Sequence, residues 1–348
     1  MSKKYWSSSI VRKPKSIFFT THKDKIGGGD LYAHQIAKSF DKATDMRYYG
    51  PSYHRLLSKN HGFSHEFKHT SIQTPCDIFV ACSHFLIPSP IGRERNIFVS
   101  FFPNKDMKDA IKPYDTIVTC SHFSSYYIRE YWKKDAFVIY PYEDKERLFI
   151  GKTDRGSITN ISRFFRESSG HSKNQHILIE AFSILHKNFP DTKLNLIGSV
   201  LTGTDQAYLD HCKSLAVKLG LKDNVIFHPN CTYEEKRKIL SRSDVYWHSN
   251  GYKSTNPYES EHFGIVFVEA MLSGCPCFAY DFGSVKEFKG LSEDFHSWSN
   301  IEKLVEETSR YLRDPITVDA RKIIRSNASG AFLEEQMDHR VKNLLYKD

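Results

Sequence analysis

The 348-residue sequence predicts an α/β protein made of two Rossmann-like domains that face each other across a cleft. Three observations carry the prediction. The length suits two cores of roughly 150 residues each better than one. Short apolar runs of strand length alternate with segments whose apolar residues recur at helical spacing. The alternation breaks once, in a charged stretch just before residue 150.

The first run, 16–20, holds Ile17, Phe18 and Phe19. Gly27, Gly28 and Gly29 follow, and then Ala33, Ile36, Ala37 and Phe40 recur at helical spacing. Strand, glycine loop and helix is the reading, with Asp30 placed to cap the helix by accepting from a first-turn amide. Glycines there let the backbone approach a phosphate or a sugar closely, although a plain flexible loop has the same composition. Runs at 77–82, 96–102 and 116–120 are short enough for buried parallel strands. Around Ile139, Tyr140, Pro141 and Tyr142 the pattern breaks, and Glu143, Asp144, Lys145, Glu146 and Arg147 follow. This sets a domain border near 150, with a first domain over 1–150 and a second over 151–325.

In the second domain, strands are expected at 158–162, 193–197, 225–227 and 244–248. Helices are expected through Leu178, Ala181, Phe182 and Leu185, through Leu209, Cys212, Leu215 and Leu219, and over 234–241 and 264–273. Gly274 and Pro276 mark the stop of the last one, because glycine accepts a left-handed turn and proline cannot continue a helix.

The composition, 40% hydrophobic and 26% charged, excludes a fibrous or disordered chain. No run reaches the roughly 18 apolar residues of a membrane span, and the first residues lack the apolar stretch of a signal peptide. Seven cysteines form no C-x-x-C pair and are odd in number, which fits a reducing compartment. The expected location is therefore cytoplasmic. Net charge is +8, and Lys3, Lys4, Arg12, Lys13 and Lys15 precede any acidic residue. Such a segment is a solvated tail, or a footing on anionic lipid or nucleic acid.

Chemistry concentrates in the second domain. Glu261 and Glu269 stand eight positions apart, the first just before a helix and the second inside it. The helix start over 263–265 offers unpaired amides and a positive dipole end, which suit a phosphate. Ionised carboxylates beside it accept charge-assisted hydrogen bonds from sugar hydroxyls. Helix capping by Glu261 and a surface ion pair at Glu269 explain the same spacing, and the residues alone leave both readings open. Arg163, at a strand end, and Lys173 bring a planar fork and a point charge for a diphosphate.

The segment from Glu261 to Glu269 resembles the E-x7-E motif of retaining glycosyltransferases of the GT-B fold, in particular family 4. Asn160, Ile161, Ser162 and Arg163 resemble the family's strand ending in a donor-binding arginine, and Lys173 to Phe182 resembles its K-x-x-x-x-L-I-x-A-F helix. Residues 158–288 follow the family pattern in order, through Gly198, His248, Gly274 and Glu287. The resemblance implies two Rossmann-like domains with a C-terminal helix, 326–348, crossing back to the first through Phe332, Met337, Val341, Leu344 and Leu345. It implies a nucleotide-sugar donor, transfer with retention, and no metal or other cofactor. Glu261, Arg163 and Lys173 would be catalytic, with Glu261 on the sugar hydroxyls. The donor would be held by these three with Gly28, Gly29, His248, His262, Phe263, Gly264, Ile265 and Glu269, the last on the ribose.

One departure concerns the first domain. Many family members carry a histidine after a first-domain strand, where this chain has Phe102 and Pro103. His84 and His122, each following Cys-Ser, are the candidates for the acceptor side. The acceptor is expected to be a cell-surface or lipid-linked glycan, with peripheral contact at the inner membrane face. Other readings are a phage-type DNA-base glycosyltransferase, a sugar-nucleotide epimerase or phosphorylase, and a non-catalytic nucleic-acid-binding protein.

Overall fold

The computed structural model describes residues 13–21, 27–50, 62–71, 75–83, 86–167 and 172–346. His84, Lys3, Lys4 and Arg12 lie outside these residues. The first half comprises β1 (Lys15–Thr20), α1 (Gly28–Ala43), β2 (Asp45–Tyr49), β3 (Cys76–Cys82), β4 (Gly92–Ser100), β5 (Thr116–Thr119), α2 (His122–Trp132) and β6 (Ala136–Val138). Its strands form one sheet in the order β2-β1-β3-β4-β5-β6, parallel at every pairing.

The second half begins with β7 (Ser157–Ile161), α3 (Gln175–His186), β8 (Lys193–Gly198), α4 (Gly203–Lys218), β9 (Val225–Pro229) and α5 (Tyr233–Ser241). It continues with β10 (Val245–His248), α6 (Ile265–Leu272), β11 (Cys277–Tyr280), α7 (Val285–Lys289), β12 (Phe295–Trp298), α8 (Ile301–Arg313) and α9 (Val318–Ala331). The second sheet has the order β12-β11-β10-β7-β8-β9 and is again parallel. Central strands such as β7 and β10 are buried along their whole length, because helices cover both faces of a parallel sheet. The two Rossmann-like halves and the cleft between their strand ends are thus as expected.

β2, β6, α2, β11, α7, β12 and α8 were not among the expected elements, and others differ at edges and ends. β2 alternates buried and exposed residues as an edge strand does, so it shows no continuous apolar run. β4 starts earlier than 96, with Arg93 and Glu94 on its exposed end, and stops at Ser100, so that Phe101 and Phe102 leave the sheet toward the cleft. Asp30 is not the cap residue. Gly27 caps α1, and Asp30, in the first turn, accepts from the Gly27 amide at 2.9 Å.

Residue 326 lies inside α9, which packs on α6, and the chain crosses back at Phe332 and Leu333. The last helix, α10 (Glu334–Tyr346), then lies on α1. Met337, Val341, Leu344 and Leu345 form its buried face. Lys38 pairs with Glu334 at 2.8 Å, Lys42 with Asp338 at 2.7 Å, and Ser39 donates to Asp338 at 2.6 Å. One apolar cluster runs from the first sheet through this helix into the facing side of the second half.

Arg321 locks α9 onto the second sheet. It is 3% exposed and donates to the carbonyls of Gly274 at 2.9 Å, Ser273 at 3.0 Å and Ser241 at 3.1 Å. Removing a charged donor from several buried carbonyls leaves each without its partner, at roughly 1–3 kcal/mol apiece. Arg321→Ala is therefore expected to lower the unfolding free energy by roughly 3 kcal/mol or more. Urea titration followed by circular dichroism checks this, and an unchanged midpoint would refute it.

Candidate donor site

β10 delivers His248 to the carboxyl edge of the second sheet, and a long loop, 249–264, separates it from α6. Ser249 pins the start of that loop by donating to the carbonyls of Lys173 at 2.9 Å and Asn174 at 3.0 Å. Lys173 is thereby carried beside His248, although the two lie far apart in sequence. The loop's other end is fixed at Glu261, whose carbonyl accepts from Ser284 at 2.9 Å and which bridges to Gly283.

Two glycines make this approach feasible. Gly283 has φ of 86°, and a Cβ there would lie 2.2 Å from the Glu261 carbonyl oxygen. Gly264 has φ of 88°, and its Cβ would lie 2.4 Å from the Phe267 ring. Side chains rarely adopt that backbone region, and these positions also lack the space.

Glu261 is the centre of the site. His248 Nε2 donates to its Oε2 at 3.1 Å, Asn250 Nδ2 donates to the same atom at 3.3 Å, and Lys173 Nζ lies 3.9 Å away. Its side chain remains 18% exposed, so it faces the cleft. Burial alone would raise its pKa, but Lys173 and the His248 hydrogen bond hold it well below the usual carboxylate range. The carboxylate is ionised at neutral pH. His262, the next residue, has its pKa pushed down to about 4, first by burial and then by Lys173 acting against Glu261. It is neutral, and its ring stacks on Phe102 of the first half at 4.4 Å.

Arg163 lies at the end of β7 but does not join this group. Its fork is held by Asp205 of α4, Nε to Oδ2 at 3.1 Å and Nη2 to Oδ1 at 2.9 Å. Burial opposes ionisation of Asp205, yet the Arg163 fork and the Leu201 amide keep its pKa below the ordinary value. Arg163 is consequently a fixed, oriented cation.

Glu269 is 1% exposed and forms a buried ion pair with Lys236 of α5. Its second oxygen, Oε2, has no hydrogen-bond partner among the described residues. Nearby Glu143 is buried, and its pKa is raised well above the usual range, first by burial and then by Glu269. Phe263 is buried among Tyr140, Phe288 and Phe332, so only its backbone is available to a ligand. Gly264 caps α6, and Ile265, in its first turn, packs against Leu31 and Phe63 of the first half.

Gly28 and Gly29 open α1. A Cβ on Gly28 would stand 3.8 Å from Ile265, so the first turn of α1 meets the first turn of α6 across the cleft. His122 opens α2 with its ring beside Tyr140 at 6.0 Å. Its amide and that of Phe123 donate to Glu287 at 3.1 and 3.0 Å, and the Tyr140 hydroxyl adds a third bond at 2.9 Å. A carboxylate of α7 thus caps a helix of the other half.

Asn250, Asp205, Lys236 and Glu143 were not identified from sequence. Asn250 alone had a local signal, two residues after His248 and at the head of the loop to Glu261. The partners of Arg163 and Glu269 are 42 and 33 positions away, beyond any helical or strand periodicity.

Residues 158–330 match the family model described as glycosyl transferases group 1. The GDP-Man:Man(3)GlcNAc(2)-PP-Dol alpha-1,2-mannosyltransferase of Dictyostelium discoideum is 28% identical over 165 residues, covering 42% of this chain and 30% of that protein. The first curated relatives are matched over less than a third of their own length. Among solved structures, Anabaena HepE in complex with UDP superposes with a TM-score of 0.74 at 19% identity, covering 95% of this chain and 99% of that one. A glycosyltransferase of Rickettsia africae gives 0.72 at 15% identity, covering 97% and 99%. These likenesses extend the fold over both halves, and the stretch from residue 158 to residue 330 is a glycosyl transferases group 1 domain within a GT-B architecture.

Proposed function

We propose that the chain is a retaining glycosyltransferase that takes its sugar from a nucleotide-sugar donor. The observation that carries the reading is the ionised Glu261, held between Lys173, His248 and Asn250 at the cleft, three residues before the helix-capping Gly264. In this reading Glu261 accepts from hydroxyls of the donor sugar. Lys173, Arg163 and the first amides of α6 meet the diphosphate. These groups stabilise the charge that grows on the leaving phosphate as the bond from the anomeric carbon breaks, without calling on a metal ion. The acceptor oxygen bonds to the same face of that carbon, and a phosphate oxygen of the leaving nucleotide takes its proton. No protein base on the acceptor face is required, so His122 need only line it.

Glu269 fits a ribose role through its unpartnered Oε2. Lys236 holds one oxygen, and a ribose hydroxyl would donate to the other. The names of the sequence relatives favour GDP-mannose as donor and a lipid-linked glycan as acceptor. Among the described residues no helix is long and apolar enough to cross a membrane, so such an acceptor would be met at the membrane surface.

A thermal-shift series with GDP-mannose, UDP-glucose and the free nucleotides tests the donor. A ligand at about 100 times its dissociation constant stabilises by roughly 2.7 kcal/mol. One nucleotide sugar is expected to raise the melting temperature, and Arg163→Ala to cut that rise. A folded protein that responds to none of them would overturn the reading.

A further inference from the structure

The loops at the carboxyl ends of both sheets meet in a band of aromatic rings beside Glu261. His262 lies directly after Glu261 and stacks on Phe102, which leaves the end of β4. Tyr258, in the loop before Glu261, lies 6.2 Å from Phe102 and is 50% exposed. Phe102 is buried and packs under Phe123, Tyr127 and Tyr131, at 6.0, 5.3 and 6.3 Å, and these three, spaced four residues apart, line one face of α2. Consecutive rings there are 5.1 and 5.4 Å apart. Eight helical residues extend about 12 Å, so the three rings of α2 form a strip of that length, with Phe102 beneath its middle.

Resting on the transferase reading, we propose that this strip is the acceptor subsite and that its occupant is an oligosaccharide of more than one ring. Half-buried rings carrying hydroxyl rims suit a pyranose, which offers an apolar C–H face to the ring and hydroxyls to the tyrosine oxygens. A lipid chain calls for a groove without polar rims, and a bare phosphate calls for cations. Lys105 lies over the outer face of Tyr131 at 4.5 Å, and no second cation stacks on a ring of the band among the described residues. The strip adjoins His262, the residue next to Glu261, so a chain end seated beside His262 and Tyr258 reaches the transfer point while its inner rings rest on the half-buried rings of α2.

The full-length protein, saturated with the nucleotide that stabilises it, is applied to an array of free oligosaccharides and single sugars. Binding is expected for chains of several sugars and not for single sugars. Tyr127→Ala and Tyr258→Ala are each expected to weaken it roughly tenfold, with the nucleotide-induced thermal shift unchanged. Absence of glycan binding by a nucleotide-bound protein overturns the proposal, as does glycan binding that both variants leave intact. Vesicles of phosphatidylcholine and phosphatidylglycerol are tested in parallel. Vesicle binding lost in these variants without any glycan binding would assign the strip to a membrane surface and likewise overturn it. Failure of nucleotide binding itself points back to the transferase reading, so the two failures are distinguishable.

Discussion

Glu261→Gln is expected to lower the rate of sugar transfer about a thousandfold while leaving the fold in place. The amide keeps the shape of the carboxylate and can still accept one hydrogen bond. It cannot carry the charge that Lys173 and His248 surround, and bonds to an ionised acceptor are roughly twice as strong as neutral ones. Loss of one preorganised group at a reacting centre commonly costs about a hundredfold to a thousandfold in kcat. Glu261 also anchors the loop through its backbone, which the substitution leaves alone. Steady-state transfer kinetics beside a melting curve decide the matter, and activity within tenfold of the parent would remove Glu261 from the mechanism. Because Lys173 and His248 hold its pKa below the usual range, the parent should show no acid limb from Glu261 down to about pH 5.

The buried group of Glu143, Lys236 and Glu269 yields the second large effect, through a contrast. Lys236→Met removes the only positive partner that Glu269 has among the described residues and leaves a carboxylate buried. Breaking such a pair costs about 3–5 kcal/mol, and with α5 and α6 disturbed the donor-induced thermal shift should shrink too. Glu143→Gln should act in the opposite sense. Burial and Glu269 raise the pKa of Glu143 in the folded protein, so over a range of pH above the unfolded value the folded state keeps a proton that the unfolded chain has lost. Its contribution is fully present below the unfolded value of about 4.5 and declines as pH rises toward the folded value. Glu143→Gln cannot lose that proton, so its stability relative to the parent should increase with pH above about 5. Urea midpoints of the three proteins from pH 5 to about 8 test both arms, and parallel curves for Glu143→Gln and the parent would contradict this assignment.

The sequence showed those features that repeat along the chain or sit within one segment. Buried strands read as apolar runs, and α3 and α6 as helical spacing, because burial on one face leaves a period behind. Glu261, His248 and Lys173 were legible through their motif, and the structure brings them together. Partners drawn from separate segments left no such trace. Asp205 on Arg163, Lys236 on Glu269 and Glu287 on the first amides of α2 arise only when the sheets stack their helices. β2 was missed for a related reason, since a short strand at a sheet edge needs no continuous apolar run, and β6 because its three residues run directly into the break at 139–142. Phe263 shows what a motif leaves unsaid about side chains. Its place between Glu261 and α6 suggested a ligand contact, whereas the left-handed turn at Gly264 leaves its ring in the core with Tyr140 and Phe332.

The return of α10 to α1 bears on the order in which the two halves are completed during synthesis. The second half is one continuous stretch, so its six strands can assemble as they leave the ribosome. The first half is interrupted. Its strands are made first, yet Ser39, Lys38 and Lys42 on α1 meet Asp338 and Glu334 only after the whole second half has emerged. At the usual 5–20 residues per second, that wait is on the order of ten seconds or more. Throughout it, the α1 surface that Met337, Val341 and Leu345 will cover stands open to solvent. Of the two halves, the one made first is thus finished last, and α1 is where the nascent chain stands open to wrong partners in the meantime.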